Sequence, residues 1–338
     1  GGVGRGGDIR VTAQNIEVTN GAQLGSGNYG IGTSGNVILD IAETTRVNEI
    51  NPIVPRLVSS IFSQITGEGS SGNVSIESRN LEVTNGGTIS ASTRGVGDAG
   101  TIQLDISENI RLEGGNPLTG LPGGVFTIVE VGGTGITGGI NIQSSNLEVT
   151  NGAELNTGVL GKGNAGDLVL DILGTARFSS HISGALSNIE ESGEGEGGNI
   201  IIEAGSLEVV NGGQLLSATF GKGDAGDIIL NIDETALFDG VDPFVPVFPS
   251  SAASSIEPGG EGTAGDVLVN ARNLEIVNGA QIDSATDGIG DAGNVILIVD
   301  ENLRIGGETT STGSTRAVFS GSRDNGKGRG GDIRNTST

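Results

Sequence analysis

Seven residues recur five times in this chain, and that repetition limits the possible folds more than any other feature. Asn-Leu-Glu-Val-Thr-Asn-Gly stands at 80–86 and again at 146–152; variants stand at 15–21, 206–212 and 273–279. Self-similarity at a fixed spacing marks architectures in which each unit buries its apolar side only by stacking on the next. A second feature measures the spacing. A Gly followed by Asn, Asp or a small residue and then an aliphatic one occurs at Gly7, Gly35, Gly72, Gly100, Gly138, Gly166, Gly198, Gly226, Gly265, Gly293 and Gly331. The intervals are 28, 37, 28, 38, 28, 32, 28, 39, 28 and 38 residues. The unit is therefore a pair, with a constant half A and a variable half B. The pairs span 7–71, 72–137, 138–197, 198–264 and 265–330.

Each half reads as three short strands. In 72–100, apolar residues alternate at Val74 and Ile76, at Leu81 and Val83, and around Ile89. Alternation at period two places these side chains on one face. Asn85-Gly86 is a turn pair, because both residues tolerate positive φ. The B half repeats the scheme with Ile102, Leu104 and Ile106, then Ile110 and Leu112, then Val125 to Val129 after an insertion. No stretch shows helical periodicity. The pattern predicts an all-β fold, a parallel β-helix solenoid of about ten coils in A/B pairs, forming one rod over 1–338. At ~4.8 Å per coil the rod is roughly 50 Å long. A sandwich or a propeller would need antiparallel hairpins, and a four-stranded blade does not fit a 28-residue half with a variable partner.

Stacking explains the heptapeptide. Asn20, Asn85, Asn151, Asn211 and Asn278 each fall 13 residues after the anchor Gly of an A half. They are expected at one corner of the rod. Glu17, Glu82, Glu148, Glu208 and Glu275 each fall 10 residues after that Gly. The B halves carry one extra residue, and their matching positions are Arg46, Arg111, Arg177, Leu237 and Arg304. Outward Glu and Arg should then alternate in neighbouring strands about 4.8 Å apart. Each exposed pair contributes only ~0.2–1 kcal/mol, so the larger benefit is register: an A coil prefers a B neighbour. Leu237 breaks the rule.

Composition narrows the function. There are 41 acidic residues against 17 basic ones, for a net charge of −24. This argues against nucleic acid or an anionic membrane as partner, since both need basic surfaces. Gly is abundant, 63 of 338, yet no Gly-X-Y period makes the chain collagen-like. Cys is absent, which removes disulfides and thiol chemistry. No apolar run approaches the ~20 residues of a membrane-spanning helix, so no insertion is expected. Met is absent even at position 1, and the chain is expected to be a section of a longer product.

Several stretches resemble reactive motifs and are better explained as scaffold. The turns at 95–100, 161–166, 221–226 and 288–293 have the form Gly-x-Gly-Asp/Asn-Ala-Gly. A phosphate loop would continue into a helix, whereas a strand follows here. A calcium β-roll needs Gly-Gly-x-Gly-x-Asp every nine residues. These copies lie 60–67 residues apart and carry Asn at 164. Asp98, Asp224 and Asp291 are the residues to test for calcium; no metal, catalytic or cofactor site is expected. Polysaccharide-cleaving β-helices need a unique cluster of acids and bases on adjacent coils. Here acids recur in columns, as at Asp40, Asp105 and Asp171, and the one His, His181, lies in an insertion. The chain does not read as an enzyme.

The B insertions are what break the repeat. All eight prolines lie in or beside them, among them Pro52, Pro55, Pro117 and Pro122. The longest insertion, 238–258, carries Phe244 and Phe248. Each leaves after the second strand of its coil, so all should emerge along one edge, where repeat proteins often bind. The alternative is a covering role, with the apolar residues packed onto the sheet.

The Leu-Glu-Val-Thr-Asn-Gly corner, the Gly-Asp-Ala-Gly turn and the coil-pair period resemble the repeat region of filamentous haemagglutinin-like large exoproteins, especially cyanobacterial ones. The resemblance covers essentially the whole chain. It implies a right-handed parallel β-helix, two-partner secretion and an adhesive role at the extracellular or cell surface of a Gram-negative type cell. The family's secretion domain carries Asn-Pro-Asn motifs. Here Asn51-Pro52 is followed by Ile and Asn116-Pro117 by Leu. Contact with an outer-membrane secretion partner is therefore expected outside these residues. Three readings follow: an adhesive rod attaching to surfaces, cells or glycans; a filament or surface-layer subunit stacking end to end; and, third, a carbohydrate-active enzyme.

Overall fold

The computed structural model describes residues 2–54, 56–180, 183–307, 317–323 and 325–336. Among these, eleven long strands and ten short ones alternate along the chain, with no helix. The long strands, from Ile9–Thr19 to Ile333–Thr336, form one parallel sheet in chain order. The short strands, from Gln23–Asn28 to Val318–Ser322, form the other. Every coil thus adds one strand to each sheet, and the molecule is a parallel β-helix.

The expected first and second strands of a coil are a single strand. Val74–Thr84 runs through both and pairs with Ile102–Glu113 along its length, with a bulge between Ser78 and Asn80. The extra residue of each B half is absorbed there, as a bulge absorbs one unpaired residue. A third side of the rod, not expected from the sequence, is a ladder of single parallel bridges, from Val3–Ile31 through Lys162–Glu194 to Ile289–Lys327.

The core is filled column by column. Val74, Ile76, Leu81, Val83 and Ile89 all point inward and are buried, as alternation requires. Rungs compensate internally for volume. Most place a large residue beside a medium or large one, as Leu81 beside Val83 and Ile110 beside Leu112. Two rungs instead pair Ala176 with Phe178 and Ala236 with Phe238, all four fully buried. A Leu in place of Ala176 or Ala236 beside the Phe would overpack the rung.

The anchor Gly has a steric and a hydrogen-bonding cause. A Cβ at Gly72, Gly226 or Gly293 would collide with the carbonyl of the anchor Gly one rung earlier. Inside, a spine of hydroxyls holds these glycines. Gly226 N–H donates to Ser217 Oγ and Gly293 N–H to Ser284 Oγ, both at 2.8 Å. Ser254 Oγ donates to Gly226 O at 3.0 Å and Ser284 Oγ to Gly265 O at 2.9 Å. Outside, the Asn or Asp after the Gly accepts the N–H of its counterpart in the next rung. Asp227 N–H reaches Asn199 Oδ1 at 2.8 Å, and Asp266 N–H reaches Asp227 Oδ1 at 2.7 Å. Backbone groups turned along the axis at this corner are thereby satisfied.

Candidate functional site

The Asn column occupies one corner in left-handed backbone conformation, with φ of 57°, 51°, 55°, 52° and 54° at Asn20, Asn85, Asn151, Asn211 and Asn278. Each is followed by a Gly of positive φ. These are the φ values of a type I′ turn, which Asn-Gly favours. The side chains also bond to the rung before: Asn85 Nδ2 donates to Asn48 Oδ1 at 3.0 Å, Asn151 to Glu113 Oε1 at 3.2 Å and Asn278 to Asp239 Oδ1 at 2.7 Å. The B coils reach the same conformation with other residues, Glu49, Gly114, Ser180 and Gly240. No shared letter marked that corner in the sequence.

Strand register places the charged column in the order Glu17, Arg46, Glu82, Arg111, Glu148, Arg177, Glu208, Leu237, Glu275, Arg304. Arg46 bridges Glu17 at 2.6 Å and Glu82 at 2.8 Å. Arg177 pairs with Glu208, and Arg304 with Glu275 at 3.0 Å. Arg111 differs. Its guanidinium turns along its own strand to Glu113 instead of across to Glu82 or Glu148. Two carboxylates on neighbouring strands and one on its own compete for this side chain, and the exposed energies differ little.

The turn aspartates serve the backbone. Asp98 Oδ1 accepts Ile136 N–H at 3.0 Å, Asp224 accepts Thr263 N–H at 2.8 Å, and Asp291 accepts Arg329 N–H at 2.8 Å. Asn164 does the same for Glu196 N–H at 3.2 Å, which explains why Asn and Asp alternate freely there. Among the described residues, no three or more His, Cys, Asp or Glu are grouped to hold a metal ion. His181 and Pro55 lie outside the described residues.

Three insertions share one construction. Asn51, Asn116 and Asp242, each followed by Pro, accept two backbone N–H groups through Oδ1. Asn51 takes those of Ile53 and Val54, both at 2.9 Å; Asn116 takes Leu118 and Thr119, at 3.0 and 3.2 Å; Asp242 takes Phe244 and Val245, at 2.7 and 2.9 Å. Their own N–H groups donate to Leu57 O, Leu121 O and Phe248 O, closing each loop. The residue after each Pro is held outward: Ile53 is 87% exposed, Leu118 68% and Phe244 75%. Pro52 and Pro117 are exposed, whereas Pro122 and Phe248 are half-buried. Projection and covering thus occur in the same loop. The Asx-Pro-apolar triplet was visible in the sequence, but only its shared geometry shows that it recurs as a unit. Asp242 Oδ2 is buried without a hydrogen-bond partner among the described residues.

Two acidic features remain. Asp40, Glu77, Asp105, Gln143 and Asp171 follow one another in register along the bulge of the long-strand sheet, lining a groove of about 540 Å³. On the short-strand sheet, Glu154 lies between Gly124 and Gly184. Burial pushes its carboxyl up to about 7. The hydrogen bond from Asn156, at 3.2 Å, opposes the shift, and the charge of Glu190 adds to it.

Set against protein-family models, curated proteins and solved structures, the chain matches none.

Proposed function

We propose that this chain is the rod of a secreted or cell-surface adhesin, which attaches through the loops along one edge. The observation that supports this reading is the triplet of Asx-Pro loops at the B corner. Each uses a buried or half-buried Asx side chain to fix a short loop, and each holds one large apolar residue in water. Ile53, Leu118 and Phe244 lie outside the strands that pair from rung to rung. Exposed apolar side chains presented repeatedly on a rigid support suit attachment to a surface. The acid columns recur rung by rung, which favours a scaffold over a catalytic centre. Export by a two-partner system belongs to the same reading, through the family resemblance.

Beads coated with the purified chain test it. They should adhere to abiotic and cell surfaces, and the triple variant Ile53→Ser, Leu118→Ser, Phe244→Ser should lose most adhesion while keeping its β-rich circular dichroism. Equal adhesion by the folded triple variant would remove the loops from the function.

A further inference from the structure

The outer face of the short-strand sheet carries a groove of about 730 Å³ toward its C-terminal end. Its floor is small, made by Ser251 and Ala253. Gln214 and Gln281 flank Ser251 in register, and Leu216 and Asp283 flank Ala253. Phe248 overhangs from the longest insertion, and Phe220 and Phe319 complete the aromatic lining. Three of the chain's eight Phe residues thus converge on one site, each half-buried. Asp283, 3% exposed, is neutralised by Arg323 at 2.7 Å. Glu257 Oε1, on the same lining, accepts Ser255 Oγ at 2.7 Å.

We propose that this groove binds a linear oligosaccharide that is uncharged or N-acetylated. The proposal deepens the adhesive reading and rests on it for the expectation that the rod binds something. Phenyl faces pack against the C–H faces of pyranose rings, and amide and carboxylate groups at the edges hold hydroxyls in place. A purely apolar ligand would strip water from Gln214 and Glu257 without return. An anionic ligand would meet Glu257 and a chain of net charge −24. An extended peptide cannot add as a strand here, because the floor strand Ser251–Ile256 is already paired on both sides. The groove crosses four rungs, about 14 Å along the axis, which suits a short linear oligomer.

The test is titration of the intact chain with cellohexaose, chitohexaose and hexagalacturonate, read by calorimetry and saturation-transfer NMR. At least one of the first two should bind, and hexagalacturonate at least about tenfold more weakly. Phe248→Ala should weaken binding about tenfold, and Gln214→Ala by a smaller factor. Phe248 is half-buried on a surface loop, and retention of the circular dichroism spectrum and melting temperature checks that its variant folds. Phe319→Ala gives an independent second wall. No binding of either neutral hexamer at millimolar concentration, or binding unchanged in both Phe variants, would overturn the assignment. Adhesion of coated beads without hexamer binding would sink the groove alone. Hexamer binding without bead adhesion would sink the loop-based reading and leave the groove standing.

Discussion

Outward positions on the two sheets differ in kind. On the long-strand sheet one outward column runs Glu17, Arg46, Glu82, Arg111, Glu148, Arg177, Glu208, Leu237, Glu275, Arg304, with opposite charges facing each other at every step except the two at Leu237. On the short-strand sheet a column in equally continuous register runs Phe62, Ser90, Phe126, Asn156, Leu186, Leu216, Ala253, Asp283, Phe319. Both faces sit on the same apolar core at the same spacing. The first obeys a rule set by its own neighbours; the second obeys none that stacking supplies. Where the repeat imposes no rule, the face varies from rung to rung, and in its last rungs an Arg323–Asp283 pair sits beside three Phe rings. The longest insertion brings Phe248 onto that second face, and the Phe-lined groove lies there.

Four experiments probe the contrast. The largest effect is expected inside the regular half. Phe178→Ala should destabilise by about 3–5 kcal/mol, because Ala176 beside it leaves no atoms to fill the space. Adding Ala176→Leu while making position 178 Val restores the commoner rung filling, and should bring stability back to within about 1.5 kcal/mol of wild type. Guanidinium midpoints read both; a double variant as unstable as the single one would deny the shared volume.

The next effect belongs to the irregular face and depends on pH. The folded-state value of Glu154, about 7, lies above the ordinary carboxylate range. Below that range the group is protonated in both folded and unfolded chains and takes nothing from stability. As pH rises toward 7 the unfolded chain releases its proton first, and stability falls; above 7 the loss is complete. Glu154→Gln should therefore raise the melting temperature at pH 8 and leave it nearly unchanged at pH 4. The gain is at most about 3 kcal/mol. A gain that is equal at both pH values would mean packing, not ionisation, is responsible.

On the regular outer face the expected effect is smaller. Arg46→Glu would align three carboxylates in consecutive rungs and should cost about 1 kcal/mol at low salt, less at high salt. Arg111→Glu should cost less still, since Arg111 already turns to Glu113. Salt-dependent melting of the two variants ranks them, and the reverse order would contradict the pairing seen. The smallest effect is at the loop tips, where Ile53→Ser, Leu118→Ser and Phe244→Ser should each change stability by no more than about 0.5 kcal/mol. A larger loss at Phe244 would show that its loop is part of the core's support.

The difference in legibility follows the same division. The register of Glu82 against Arg46 and Arg111 was readable, because in a parallel solenoid aligning the repeats on paper is aligning them in space. The corner asparagines were readable for that reason too, and their positive φ followed from Asn-Gly chemistry. The partner chosen by Arg111 was not readable, because three carboxylates of similar cost lie within reach of one flexible side chain. The hydroxyl spine has a sequence mark, since Ser26, Ser63, Ser217 and Ser284 each stand nine residues before an anchor Gly, but only the structure shows that these hydroxyls turn inward to accept the glycine N–H groups.

The sequence by itself determined the coil length, the pairing of A with B, the inward columns and the edge from which the insertions leave. These follow from contacts between like positions in neighbouring coils, a one-dimensional problem. Only the tertiary structure decided that two expected strands are one strand bent at a bulge, that single bridges make a third side, and that Phe220, Phe248 and Phe319 meet. Those features join positions from different sides of the rod, or fold an insertion back onto a sheet. Their energies depend on shape and burial that the repeat does not encode.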